Sequence, residues 1–299
     1  MGRFIDANNI PGDFMKTIYQ SAKLRSAVGL GIMHGVIIFF CSLVLLPLCW
    51  VLLLSIKTVE DAAKGTLWPS QFDYTHYRYV ADNLPYILYN FSNSIIVSLA
   101  TIVLTTTVSV LAGYALVHVR LPGRGLVLAI LLGTLFFPTR IVSLLGIYQL
   151  QMSLGLINTL VGLILPYVTL NLAVSIFIMR GAFLQISREL VEAAKIDGAS
   201  SWRILVEILL PLVTNACVVV VIVNFVTSWG EYLLAATLAV DQNMRTLPVV
   251  LVTTFGAFGE WAPPRSAAVY VMAIIPGIAL FGILQRWYMQ GLMDGAIKQ

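Results

Sequence analysis

The 299 residues are 59% hydrophobic and 11% charged, with a mean hydropathy of +0.90 and a formal net charge of +4. A water-soluble domain carries roughly a quarter charged residues, so one aqueous core cannot hide this apolar surface and lipid is the solvent the composition requires. The small positive excess does not argue for a nucleic-acid partner, because Lys and Arg in a membrane protein record topology.

Residues 1–27 place Asp6 and Asp13 ahead of a full-length apolar run, unlike a cleavable signal peptide. Within 14–25, Phe14, Ile18 and Ala22 share one helical face while Lys16, Gln20 and Lys23 share another. That pattern suits an interfacial helix on the cytoplasmic side, and a solvated tail fits it as well. Beyond it, no Asp, Glu, Lys or Arg occurs in 26–56, 83–119, 141–179, 208–230 or 266–285. A helix needs about 20 apolar residues to cross the hydrocarbon layer. These runs lack barrel-type alternation, and helices satisfy their own backbone.

The predicted fold is therefore an all-α polytopic membrane protein with spans at 28–54, 90–117, 126–148, 159–180, 211–234 and 266–286. The polar turn 149–158 divides the longest gap, and its Gly155 and Asn158 suit a hairpin between helices. With the N-terminus inside, twelve of the 18 Lys and Arg residues fall on the inner side, which favours two cytoplasmic termini. Cys41 and Cys49 lie about 12 Å apart along one helix, too far for a disulfide. Cys217 reads as another small packing residue. His34, His76 and His118 show no metal-ligand spacing, so neither a metal site nor a catalytic constellation is expected.

The segment 181–211, on the predicted cytoplasmic side, has a different character. Ser187 can cap a helix with Glu189 and Glu192 in its first turns, where the dipole favours carboxylates. Leu190, Ala193, Ala194 and Ile196 offer it a small apolar face. Asp197 and Gly198 end that helix, the glycine by taking a left-handed conformation and the aspartate by accepting a hydrogen bond in the turn. Ser200 or Ser201 can cap a second helix through Trp202, Leu205, Ile208 and Leu209, with Pro211 opening the fifth span. Such an elbow suits docking into a partner's groove, although Glu192 could also serve only as an electrostatic cap.

Glu192-Ala193-Ala194, then Asp197-Gly198-Ala199, then Leu210-Pro211, resembles in sequence and spacing the EAA loop of binding-protein-dependent ABC importer permeases. The run from Leu154 to Thr159 with Gly162 to Leu165 is similar to carbohydrate permeases between their third and fourth spans. Phe225 with Trp229, Glu231 and Tyr232 resembles their fifth span, with Gly230 replacing the usual polar residue. The tail Gln285-Arg286-Trp287, Gly291-Leu292 and Gly295-Ala296 is similar to the smaller maltose-type permease. The likeness covers 28–299 as one transmembrane domain.

The resemblance implies a sugar or oligosaccharide importer working by alternating access in a bacterial inner membrane. Its partners would be a second permease, two ATPase subunits and an extracytoplasmic sugar-binding protein. Glu192, Ala193, Ala194, Asp197, Gly198, Ala199 and Pro211 would couple it to the ATPase, and the loop 239–264 would approach the binding protein. No Gly-Lys dipeptide occurs in the chain, which leaves no phosphate-cradling loop. ATP and Mg²⁺ are accordingly assigned to the partner ATPase and no cofactor to this chain.

Polar residues inside spans are costly unless paired or wet. Asn224, Ser228 and Glu231 share one face of the fifth span, and Tyr167, Asn171 and Ser175 one face of the fourth. Asn171, Asn224, Ser228, Trp229 and Glu231 are therefore candidates to line a sugar path, with interhelical pairing as the alternative. Arg140 joins them, lining a vestibule or reaching to the outer surface. Within the importer class, glycerol phosphate esters are the alternative substrate. An ion-coupled carrier would show internal repeats or acidic relays, and a membrane enzyme an acid–base or metal cluster.

Overall fold

The computed structural model describes residues 12–136, 142–257 and 262–297. Arg140 lies outside them. The first helix, α1, runs Gly12–Ser55 without interruption. At 1.5 Å per residue its 44 residues reach about 66 Å, twice the hydrocarbon thickness. The stretch expected as a separate interfacial helix or tail is thus a helical extension of the first span. Three further helices follow: α2 (Val59–Ala63), α3 (Thr75–Asn83) and α4 (Ile87–His118).

Of the third expected span, 126–148, the described residues form α5 (Arg124–Phe136) and α6 (Leu144–Ser153), and 137–141 lie outside them. The 13 residues of α5 measure about 20 Å, too short to cross alone. The turn to α7 (Leu160–Leu184) uses left-handed backbone at Gly155 (φ 66°) and Asn158 (φ 61°), as the hairpin reading expects. Next come α8 (Arg188–Ile196), α9 (Ser201–Leu212) and α10 (Thr214–Trp229). The chain ends through α11 (Leu233–Leu238), α12 (Leu247–Ala257) and α13 (Pro263–Ile297). Among the described residues four helices are long and apolar enough to cross a membrane, or five if α9 and α10 form one bent span.

Helix α4 is the centre of the bundle, packed along α7 and also against α10. Gly113 permits the α4–α7 approach, since a Cβ there would lie 2.9 Å from the Met179 Cβ and 3.0 Å from the Arg180 amide. Helix α13 packs on α10, and α1 lies outside α13 with its apolar side chains exposed. An outer helix apolar all round is what a lipid-facing element requires.

At one end of the bundle, residues 56–83 form a small polar cap whose α3 packs on α13. Buried Lys57 sits 4.3 Å from the Trp50 ring centroid and donates to the Thr66 carbonyl, while the His76 ring bonds the Lys57 carbonyl at 2.7 Å. Asp61 accepts from the Ser70 hydroxyl at 2.7 Å and the Ser70 amide at 2.8 Å. These two bonds, the hydroxyl's first, hold its carboxyl below the ordinary value of 3.8. Because the folded value is the lower one, the bracing is complete above the ordinary value and is lost only as pH falls through the depressed one. The protection factor of the Ser70 amide is therefore expected to stay high at pH 5 and to fall only as pH drops below the ordinary carboxylate value. Asp61→Asn should exchange faster already at pH 7.

Candidate coupling loop and polar path

At the opposite end of the bundle, the chain leaves α7 and folds into the elbow of α8 and α9. Ser187 has the extended backbone of a cap (φ −63°, ψ 141°), but its side chain accepts no cap hydrogen bond. Glu189 occupies the first turn and Lys195 the last, each complementing the dipole. The helix stops in a Schellman arrangement: Gly198 (φ 79°) donates to the Lys195 carbonyl at 3.1 Å and Ala199 to the Ala194 carbonyl at 3.0 Å. Asp197 contributes through its amide, bonded to Ala193 and Lys195, and its carboxylate makes no hydrogen bond among the described residues. Ser200 caps α9 by accepting from the Arg203 amide at 3.2 Å.

The α8 faces divide differently from the sequence reading. Val191 and Ala194, three residues apart, are 4% and 7% exposed and pack into the core with Tyr114, Phe183, Ile204 and Leu209. Ala194 thus anchors the elbow, and the outward face carries Leu190, Glu192, Ala193 and Ile196, with Trp202 also exposed on α9. Ile196 is 86% exposed and Trp202 67%, large apolar groups standing free beside charges. Asp197 and Gly198 are exposed, and Ala199 is half-buried.

Pro211 does not open the fifth span but lies near the end of α9. Ile204–Leu209 widens to a π-helical turn, with the Leu210 amide bonding the Leu205 carbonyl. Proline offers no amide and crowds the carbonyl four residues back, and a wider turn relieves that clash. The axis then bends 78° into α10. The span is also shorter than expected, ending at Trp229 where Gly230 caps it.

Inside the bundle, the two predicted polar faces meet each other. Asn224 donates to the Ser175 hydroxyl at 2.9 Å and the Val220 carbonyl at 2.8 Å. Asn171 donates to the Tyr167 carbonyl, and Ser228 to the Asn224 carbonyl at 2.6 Å. The Tyr167 hydroxyl donates to Glu231 at 2.7 Å, and that carboxylate also accepts from the Leu234 and Ala235 amides at 3.0 and 3.1 Å. Asn171, Asn224, Ser228 and Glu231 are all buried: Asn224 joins α10 to α7 through Ser175, Glu231 accepts from Tyr167 and caps α11, and Asn171 and Ser228 bond their own helices. Trp229 stacks on Phe225, meets Phe91 edge-on and donates to the Ala273 carbonyl at 3.1 Å.

Two polar sets on α4 escaped the sequence reading. Asn90, Asn93 and Ser94 hold the segment 242–247: the two amides donate to backbone carbonyls of Gln242, Asn243 and Arg245, and Ser94 accepts from the Leu247 amide at 2.7 Å. Asn158 completes this latch with Asp241, bonding its carboxylate at 2.6 Å and its amide at 2.9 Å. Farther along, Ser98, Thr101 and Thr105 are buried on one face, their hydroxyls without hydrogen-bond partners among the described residues. The Asn224 amide oxygen shares that condition. The recurrence of Ser and Thr at 94, 98, 101, 105 and 109 was the available signal. No group of acidic, His and Cys side chains that could hold a metal occurs among the described residues.

A family model described as binding-protein-dependent transport system inner membrane component matches residues 106–293. The chain belongs to that family. It is 34% identical over 256 residues to the sulfoquinovosyl glycerol transport system permease protein SmoH of Agrobacterium fabrum, covering 85% of this chain and 89% of that one. It is 32% identical over 258 residues to the trehalose transport system permease protein SugB of Mycobacterium tuberculosis, covering 85% and 92%. The fold is also that of a chain in the crystal structure of a bacterial ABC transporter involved in the import of the acidic polysaccharide alginate. That match has a TM-score of 0.74 and 23% identity, over 96% of this chain and all of the other. The binding-protein-dependent permease thus has its elbow within the matched region, together with the α7–α10 polar contacts.

Proposed function

We propose that this chain is a sugar-importing permease subunit that couples to a separate ATPase through the α8–α9 elbow. The observation that carries the proposal is the exposed apolar pair of Ile196, on α8 with Glu192 and anchored to the bundle by Val191 and Ala194, and Trp202 on α9 just beyond the turn. A knob of this kind on a rigid base transmits force when a partner's groove closes on it. Glu192, Ala193, Asp197, Gly198 and Ala199 form the contact surface and its turn, while Ala194 and Pro211 fix its attitude. Both termini and the elbow face the cytoplasm in this reading, ATP and Mg²⁺ bind the partner, and the polar cap with the 239–247 latch faces the binding protein.

The Asn224–Ser175 pair and the α4 hydroxyls are the groups that exchange partners when the helices move, and Asn171, Asn224 and Ser228, buried on the facing sides of α7 and α10, are the candidate path residues. A second permease would cover the apolar groove of about 700 Å³ that runs past Trp229, Tyr232, Leu251, Tyr270 and Phe281. The relatives whose names specify glycosides and trehalose support a sugar as substrate. The test is uptake of labelled trehalose and glycosyl glycerols by cells carrying the complete system. ATP depletion is expected to stop uptake with the ion gradient intact, and gradient collapse with ATP maintained should leave it running. The reverse pattern would identify an ion-coupled carrier.

A further inference from the structure

Beside the elbow, the α4–α5 turn brings a second set of charges into play. Arg120 and Arg124 flank a tight turn at Pro122 and Gly123 (φ 75°), and α8 contributes Arg188, Glu192 and Lys195 across a cavity of about 370 Å³. Four cations and one carboxylate leave an excess of three positive charges on its walls. The ion pairs among the described residues lie elsewhere, at Lys64–Glu60, His76–Asp73, Arg78–Asp82 and Arg203–Glu207. His118 also lines the cavity, and its Nε2 is buried without a hydrogen-bond partner. Arg124 and Arg188 each stand at the first residue of a helix, where the dipole opposes a cation. Among the described residues none of these four cations is in an ion pair, and Glu192 is the one carboxylate on the cavity wall.

We infer that the cavity is a binding site for the phosphate of an anionic phospholipid headgroup. Its position selects a lipid as the source of the phosphate. It lies at the end of the spanning helix α4, and the turn and α5 that follow carry exposed Leu121, Leu126, Val127 and Ile130. Those side chains, next along the chain to Arg120 and Arg124, give acyl chains an apolar wall that a free anion would not use. One headgroup bridging Arg120 and Arg124 to Arg188 and Lys195 ties α8 to the membrane end of α4 and relieves the repulsion between them. The inference rests on this end of the bundle lying at a membrane surface, and not on the identity of the imported solute.

The full chain, purified with its copurifying subunits in nanodiscs of phosphatidylcholine, is titrated with phosphatidylglycerol, and retained lipid is counted by native mass spectrometry. The double variant Arg120→Gln, Arg124→Gln should weaken phosphatidylglycerol retention about thirtyfold, from the loss of two cations beside an anionic headgroup. Arg203→Gln, outside the cavity, should leave retention unchanged. Should the double variant misfold, Lys195→Gln, at an exposed position, is expected to weaken retention by a smaller factor. Unchanged retention in the cavity variants overturns the site. Displacement of phosphatidylglycerol by millimolar inorganic phosphate overturns the lipid assignment in favour of a free anion. Loss of a copurifying subunit with lipid retention intact would show that the cations meet a protein. Failure of sugar uptake, by contrast, leaves the lipid titration unaffected.

Discussion

Replacing Ile196 with Asp is expected to abolish sugar uptake while leaving the chain folded in the membrane. Ile196 is 86% exposed and contributes nothing to the internal core, so its loss from the isolated chain should change stability by less than about 0.5 kcal/mol. Burying an isoleucine in a partner's groove is worth roughly 1.5–3 kcal/mol, so even Ile196→Ala should weaken ATPase association about tenfold or more. The Asp variant adds an unpaired carboxylate to the same groove and should leave no copurifying ATPase. Gly198→Val examines the same handle by another route. A Cβ at Gly198 meets nothing within 4 Å, so its cost is backbone strain at φ 79° alone, about 1–2 kcal/mol. Strain without a clash should tilt α8 and reduce uptake more than it reduces expression. Wild-type uptake and copurification in Ile196→Asp would end the claim that this elbow carries the coupling.

The elbow was legible because its signals are local. Gly198 stops α8, Ser200 caps α9, and the apolar residues alternate with charges within two helical turns. What local signals could not decide was which apolar residues point inward. Ala194 and Ala193 are chemically identical, and only the packing of Phe183 and Ile204 assigns the first to the core. The long spans were legible from charge-free runs, but their internal breaks were not. Hydropathy is blind to the 78° bend after Leu212, since the apolar run 208–213 passes through it without a charge. The latch was hidden for another reason: Asn90 and Asn93 bond carbonyls some 150 residues away, a relation no periodicity records. The Ser and Thr row of α4 also escaped notice, because hydroxyls in membrane helices commonly bond their own backbone and carry little signal.

Glu231→Ala is expected to lower the thermal midpoint of the detergent-solubilised chain sharply, whereas Glu231→Gln should keep most of the stability. The carboxylate is 7% exposed and accepts three hydrogen bonds, from Tyr167, Leu234 and Ala235. Alanine orphans the two amides and removes Tyr167's carboxylate partner, and at about 1 kcal/mol or more for each broken bond the loss is at least about 3 kcal/mol. Glutamine can set its carbonyl where Oε2 stands, keeping Tyr167 and Ala235, and loses only the Leu234 amide, about 1 kcal/mol. The two variants therefore separate the roles open to this residue. A structural cap gives a stability ranking of wild type, then Gln, then Ala, with the apparent KM for sugar unchanged in the Gln variant. A group that contacts sugar gives a raised KM in Glu231→Gln with no shift in midpoint, because exchange of a carboxylate for an amide alters hydrogen bonding to the sugar hydroxyls. The three bonds to backbone and tyrosine favour the first outcome, and an unshifted midpoint in Glu231→Ala would reverse it.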